Sequence, residues 1–480
     1  MISFPLMCVQ TFDCMSKSYV FDGNTLIVAR VSKELRTALE LAKTTTEPEW
    51  IDRLRRVYGD GHSESLIAAI GGMARKGMFQ SPDETWLETN ARRMRDKGLA
   101  NARLTSISLL VSGTCNLRCG YCYADAGSFN GDSKAPFMDL DTVEAAMDLV
   151  CKASRPVVYF NILGGEPTLH PKFWELLKIV RSRTQGSGIK AIVSVSTNGT
   201  VFRPKLAEAL VEQDVHIGVS IDGPGWIHDK QRPFASGEGS FSSIMSNIRS
   251  FVSICGLDRV SLRVTCTPQN ISTLLSFLAQ IRDTIGMVKV SFQPVIVGDS
   301  HTYKWSCDFI DRFKQFQEEV FAIELKAKAN QLMAKPDRAA MVARSQELYF
   351  RTRRFAQCEL GINMLFVTCD GDIYPCVTLI GRTDFLMGNV NDGTIRRSEG
   401  LTGLMNRNTV FGRDQCRDCW AKFLCGGGCL SVNLTMGNDF TSPTKALCEL
   451  YKSIATMRIW EFIALSGFAE CAVDTKAAVC

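Results

Sequence analysis

Six short runs of apolar and hydroxyl-bearing residues recur through the middle of the chain, at 105–111, 157–163, 191–196, 215–221, 260–265 and 288–293. The stretches between them repeat apolar residues at helical spacing, so the pattern predicts strands alternating with helices and therefore a parallel sheet. Strands this apolar read as buried on both faces, and a parallel sheet collects its functional groups at the carboxyl ends of its strands. Upstream, residues 18–22 and 25–31 predict a hairpin across Gly23 and Asn24. A helix over 33–43 capped by Ser32 follows, with further helices near 47–58 and 62–75. The polar stretch 83–103 reads as a linker. Residues 308–355 are helical and charged, 445–465 form an apolar helix, and 469–480 read as a loose tail.

Composition narrows the class. A chain of 480 residues that is 45% hydrophobic is long enough for two or three domains with real cores. A net charge of +5 is small for this size and gives no argument for nucleic acid as partner. No signal peptide precedes the fold and no uncharged apolar run approaches a membrane span, so a reduced, cytoplasmic setting without membrane attachment is expected. His216, at the start of a strand, is expected to be a structural histidine.

The 19 cysteines change the picture. Cys115, Cys119 and Cys122 form a C-x3-C-x2-C run just past the first central strand, with Tyr121 and Tyr123 beside them. Three thiolates on one loop can hold three irons of a [4Fe–4S] cube and leave the fourth iron open for chemistry. This loop resembles the signature of radical S-adenosylmethionine (SAM) enzymes. The resemblance implies a partial (β/α)6 barrel, SAM chelated at the open iron, and a 5′-deoxyadenosyl radical that abstracts hydrogen from substrate.

A second system runs Cys358-x12-Gly371-x4-Cys376, then Cys416-x2-Cys419-x5-Cys425-x3-Cys429, then Cys448. A four-thiolate zinc ribbon at 416–429 is the rival reading, although the C-x3-C spacing and the flanking cysteines fit it poorly. The whole order resembles the SPASM extension of radical SAM enzymes that modify peptides and proteins. The resemblance implies two auxiliary [4Fe–4S] clusters, hence three in all: Cys416, Cys419, Cys425 and Cys448 would hold one, and Cys358, Cys376 and Cys429 the other. Cys369 is either a further ligand to the latter or a small buried group, the second being favoured.

Other segments extend the resemblance. Gly164-Gly165-Glu166-Pro167 follows the second central strand; its adjacent glycines would let a ligand approach the backbone, and Glu166 would accept from the SAM ammonium. Ser196 and Asn198 stand where the family contacts ribose. Ser220 and Asp222 would face the SAM or substrate pocket in a stretch continuing through His228, Asp229 and Arg232. Arg263 is a candidate partner for the SAM carboxylate. The N-terminal hairpin and helices are similar in order to the winged-helix leader-binding element of peptide-maturation systems, where a leader adds a strand to a sheet edge; a packing-only domain is the plain alternative. Val377 stands where some family members carry an acidic residue or His, so no general base is assigned.

The organisation expected is therefore a leader-binding domain at 1–82, a linker at 83–103, the barrel at 104–307, a helical connection at 308–355, the SPASM domain at 356–467 and a flexible tail at 468–480. The activity implied is maturation of a ribosomally made precursor peptide with an N-terminal leader, by formation of an intramolecular thioether. A flavodoxin or ferredoxin would donate the electron. The alternatives are a carbon–carbon (cyclophane-type) crosslink, formylglycine-forming protein oxidation, and a non-catalytic metal-binding scaffold.

Overall fold

The computed structural model describes residues 4, 6–14, 16–101, 104–129, 135–298, 300–334, 346–437 and 439–465, so the tail expected at 468–480 lies outside the described residues. The chain forms two compact units, each built from separated segments: Met1–Arg92, Gln317–Cys358 and Asn406–Cys480 in the first, Arg93–Phe316 and Glu359–Met405 in the second.

In the first unit, β1 (Val9–Cys14), β2 (Lys17–Asp22) and β3 (Ile27–Val31) make an antiparallel meander with β2 in the centre. The buried Asp22 carboxylate fixes the β2–β3 turn, accepting from Asn24 N at 3.0 Å and Thr25 Oγ1 at 2.7 Å, and also from Phe79 N at 2.7 Å. Three helices follow: α1 (Lys33–Ala42), capped by Ser32 Oγ accepting from Leu35 N at 3.1 Å, then α2 (Glu47–Tyr58) and α3 (Asp60–Arg75). Alternation along β2 explains how the sheet is covered. Val20 packs with Ile27, Leu39, Trp50, Leu54 and Ile70 on the helical side, while Tyr19 and Phe21 pack with Phe411, Phe423, Cys416 and Ile459 from the Cys-rich end of the chain. The sheet thus has two apolar faces and requires two covers. Segments 1–82 and 406–465 consequently share a core, and the compact units do not follow the linear boundaries expected from the sequence. At Gly23 a Cβ would sit 1.9 Å from the Trp420 carbonyl oxygen, so the hairpin turn lies directly on the Cys-rich loop.

The second unit holds an eight-stranded sheet, ordered β11-β10-β4-β5-β6-β7-β8-β9. Its parallel strands are β4 (Leu104–Ser112), β5 (Ser154–Gly164), β6 (Lys190–Thr197), β7 (Val215–Ser220), β8 (Val260–Cys266) and β9 (Lys289–Pro294). Each of these pairs with the next in chain order, as helical crossovers allow. The hairpin β10 (Met364–Val367) and β11 (Ile373–Tyr374) joins at the free edge of β4, with β10 parallel to it.

Burial on both faces holds for β4, where 107–112 are all buried, but not for β6, β8 and β9, whose burial alternates. Ile107, Phe160, Val193, Ile217 and Leu262 are buried, but the residues alternating with them are largely polar and form a bonded face of their own. Asn161 Nδ2 donates to Ser108 Oγ at 3.4 Å, Ser194 Oγ to Asn161 Oδ1 at 2.9 Å, and Arg263 Nη1 to Ser196 Oγ at 2.6 Å. The period of two, masked by the apolar content, divides the sheet into one packed face and one hydrogen-bonding face. His216, expected to be structural, is exposed.

Candidate active site

Cys115, Cys119 and Cys122 lie on the loop that leaves β4, all three half-buried. A strap from the segment after β7 holds this loop by its backbone: Ala235 N donates to Asn116 O at 2.9 Å, Arg118 N to Pro233 O at 2.9 Å, and Gly120 N to Gln231 O at 3.0 Å. Cys115 Sγ accepts from Leu117 N at 3.4 Å and from Asn198 Nδ2 at 3.6 Å. Burial pushes the Cys119 thiol up to about 11, with Arg232 opposing it and Cys122, Asp222 and Cys115 adding to the rise, so the three thiols are electrostatic neighbours. A cleft of about 320 Å³ opens beside Cys119 and Cys122, bordered by Tyr121, Tyr123, Ile296 and His301. Among the described residues no three His, Cys, Asp or Glu side chains are drawn together tightly enough to hold an ion as they stand. The donor set on the loop, thiols with N–H groups aimed at sulfur, nevertheless fits an iron–sulfur cluster.

The expected SAM-binding residues sit around this loop and bond to it and to one another. A Cβ at Gly164 would be 2.4 Å from Ser112 O, and one at Gly165 would be 2.2 Å from Thr114 O. What these glycines admit is therefore the cluster loop's own backbone, and Gly165 N and Glu166 N donate to Ser112 O at 2.7 Å and Thr114 O at 2.8 Å. Glu166, fully buried, accepts from Thr168 N at 3.0 Å and Thr197 Oγ1 at 2.6 Å on one oxygen and from Asn198 N at 2.6 Å on the other. Its carboxylate thus ties the turn headed by Pro167 to the end of β6, while burial pushes its pKa up against those donors. Asn198 in turn bonds Cys115 and Asn116. Ser196 and Arg263 meet on the polar face, where Arg263 spans Gly218. Ser220 ends β7 half-exposed.

Asp222 is buried and does not face an open pocket. It accepts from the Tyr121 hydroxyl and from Thr265 N at 3.0 Å, and pairs with Arg232 Nη1 at 3.8 Å. Arg232 Nη1 also donates to the Tyr121 hydroxyl at 2.7 Å. His228 Nδ1 accepts from Asp222 N at 3.1 Å, and its Nε2 meets Ser240 Oγ at 3.0 Å; burial pushes its pKa down to about 3. These bonds join the cluster loop, β7 and the strap into a single buried network.

The second cysteine system divides between the units. Cys358, Cys416, Cys419, Cys425, Cys429 and Cys448 belong to the first unit, and Cys376 to the second. Cys425 receives the N–H groups of Gly427 and Gly428, though burial still pushes its thiol up to about 11. Cys376 Sγ meets Thr378 Oγ1 at 3.3 Å. Cys369 is buried and bonds the Leu110 carbonyl at 3.0 Å. Sequence reasoning missed Arg413, 2% exposed among these thiols. Its one signal was an Arg three positions ahead of Cys416, in a segment already singled out for metal binding.

A model of the radical SAM superfamily matches residues 109–279, and a model of the SPASM iron–sulfur cluster-binding domain matches 358–420. A cysteine-type anaerobic sulfatase-maturating enzyme of Clostridium novyi (strain NT) is 25% identical over 372 residues, 73% of this chain and 94% of its own. The mycofactocin maturase MftC of Mycolicibacterium smegmatis is 25% identical over 356 residues, 70% of this chain and 80% of its own. Among solved structures, anSMEcpe with bound AdoMet superposes with a TM-score of 0.62 at 20% identity, covering 78% of this chain and 96% of its own. Streptococcus suis SuiB bound to precursor peptide SuiA superposes with a TM-score of 0.51 at 13% identity, over 93% of this chain and all of its own.

Proposed function

From the premise that the chain is a radical SAM enzyme carrying a SPASM domain, we propose that it matures a ribosomally made precursor peptide by forming an intramolecular thioether. The observation that carries the peptide reading is the extent of likeness: the fold of precursor-bound SuiB runs over 93% of this chain, against 78% for anSMEcpe. In this reading Cys115, Cys119 and Cys122 hold the radical cluster. Two auxiliary clusters are held by Cys416, Cys419, Cys425 and Cys448 and by Cys358, Cys376 and Cys429, and the donor is a flavodoxin or ferredoxin.

When bound, SAM and the radical cluster supply a 5′-deoxyadenosyl radical, and an auxiliary cluster supplies an acceptor for one electron. A thioether would form with loss of a substrate C–H hydrogen and the S–H proton, so the groups held by the cysteine sets would take up one hydrogen atom and one electron while the proton goes to solvent. The chain's own residues orient these parts. Glu166 and Asn198 hold the loop from the β6 side, the strap with Arg232 holds it from the other, and Arg263 with Ser196 presents donors for a carboxylate on the polar face. The N-terminal sheet would take the leader.

The sulfatase-maturating relatives favour a second reading, oxidation of a protein side chain to formylglycine. Anaerobic incubation with SAM, reductant and a Cys-bearing precursor peptide separates the outcomes. A thioether removes a pair of hydrogens and one alkylatable thiol; a carbon–carbon crosslink leaves every thiol open to iodoacetamide; formylglycine is trapped by a hydrazide. Either of the latter products overturns the thioether.

A further inference from the structure

In the first unit the Arg413 side chain is 2% exposed, and among the described residues no carboxylate pairs with it. Its Nη1 donates to Thr409 O at 3.0 Å and its Nη2 to Asn408 Oδ1 at 2.8 Å, while its buried Nε has no hydrogen-bond partner. The surroundings are sulfur ligands of both proposed auxiliary sets. Cys416 N donates to the Arg413 carbonyl at 3.0 Å, and Asn408, already holding the guanidinium, donates to the Cys358 carbonyl at 3.2 Å. The guanidinium lies against Gly427, where a Cβ would be 2.5 Å from Nη1, between Cys425 and Cys429 in sequence. Burial lowers the pKa of Arg413, and Cys416, Cys425, Cys358 and Cys429 all act to raise it. A buried cation without a counter-charge costs several kcal/mol or more, so this site is built for something negative beside it.

We propose that Arg413 is the fixed counter-cation of the auxiliary iron–sulfur system, a positioning residue that balances the negative charge of the thiolate-held clusters and raises their reduction potential. This rests on the proposed auxiliary ligand sets. Cluster potential follows the net charge around the sulfurs, and a cation held by Asn408 and Thr409 supplies positive charge there without needing a ligand position of its own.

The test uses full-length protein with Cys115, Cys119 and Cys122 replaced by Ala, so that bound iron and the EPR signal report the auxiliary sets alone. Arg413→Met and Arg413→Lys are compared by iron content and EPR redox titration. Arg413→Met is expected to lower the reduced-to-oxidised ratio at fixed potential about tenfold, ~59 mV for a one-electron couple, with Arg413→Lys close to its parent. Loss of iron in Arg413→Met with retention in Arg413→Lys supports the same charge requirement. An unmoved titration in a fully loaded Arg413→Met, or equal loss of iron in both variants, overturns the inference. A parent that binds no iron overturns instead the ligand sets beneath it.

Discussion

Asn198 donates its side-chain N–H to the Cys115 thiol at 3.6 Å, while its backbone N–H donates to Glu166 at 2.6 Å. One residue at the end of β6 thereby links the glycine-rich turn after β5 to the cluster loop after β4. Asn198→Ala removes the sulfur bond and leaves Asn116 Oδ1 without this donor, at a cost of about 1–3 kcal/mol. The expected result is slower reductive formation of 5′-deoxyadenosine and a radical-cluster potential shifted downward, read by EPR titration. Wild-type values for both would exclude Asn198 from cluster support.

Replacing Cys115, Cys119 and Cys122 together with Ala should abolish 5′-deoxyadenosine formation and leave auxiliary iron in place. About eight of twelve irons should remain if the chain holds three cubane clusters. Continued SAM cleavage by this variant would remove the loop from the chemistry.

Arg232 and Asp222 form a buried pair, so removing one partner strands the other's charge. Arg232→Met should destabilise the second unit by about 3–5 kcal/mol, with part recovered in Arg232→Met/Asp222→Asn. Urea unfolding of cluster-free protein measures both, and additive effects of the two substitutions would refute the coupling.

His228 is held neutral, its pKa pushed down to about 3 by burial from an ordinary 6.5. In the unfolded chain it takes up a proton as pH falls below 6.5, whereas in the folded chain it does not. The stabilising contribution is therefore complete above pH 6.5 and declines towards pH 3, by at most about 1.4 kcal/mol per pH unit. In cluster-free protein followed by circular dichroism, His228→Gln should flatten the fall in stability across that window. An unchanged slope would show that His228 does not titrate this way.

Gly23→Val places a Cβ against the Trp420 carbonyl, and overpacking of this kind costs about 1–3 kcal/mol. The substitution lies far in sequence from Cys416 and Cys419, yet it should lower auxiliary iron, as should deletion of residues 1–80. Full auxiliary iron in that deletion would contradict the shared core.

Where an element is governed by local pattern, the sequence was readable. Strands β4–β9 fall within a few residues of their expected positions because each run is bounded by turns and dense in β-branched residues. The Ser32 cap worked through a bond of three residues' reach. β1 escaped notice because Val9–Cys14 mixes Gln, Thr and Asp with its apolar residues and becomes a strand only by pairing with β2. Glu166, Asn198 and Asp222 are legible as site residues from motif position, but their partners Thr197, Cys115 and Tyr121 are distant in sequence and set by the folded sheet. Arg413 gave only its position three residues ahead of Cys416, since the thiols around it are assembled from 358 to 429.

The placement of the N-terminal meander has a consequence for engineering. Leader-recognition segments, the role proposed for this sheet, invite exchange between enzymes as interchangeable parts, with a new segment redirecting an old catalyst. Here one face of that sheet is roofed by Phe411, Phe423 and Ile459, so a chimera joined near residue 82 would carry a bare apolar surface on each half. A workable graft would transplant both ends of the chain together and leave the barrel between them untouched.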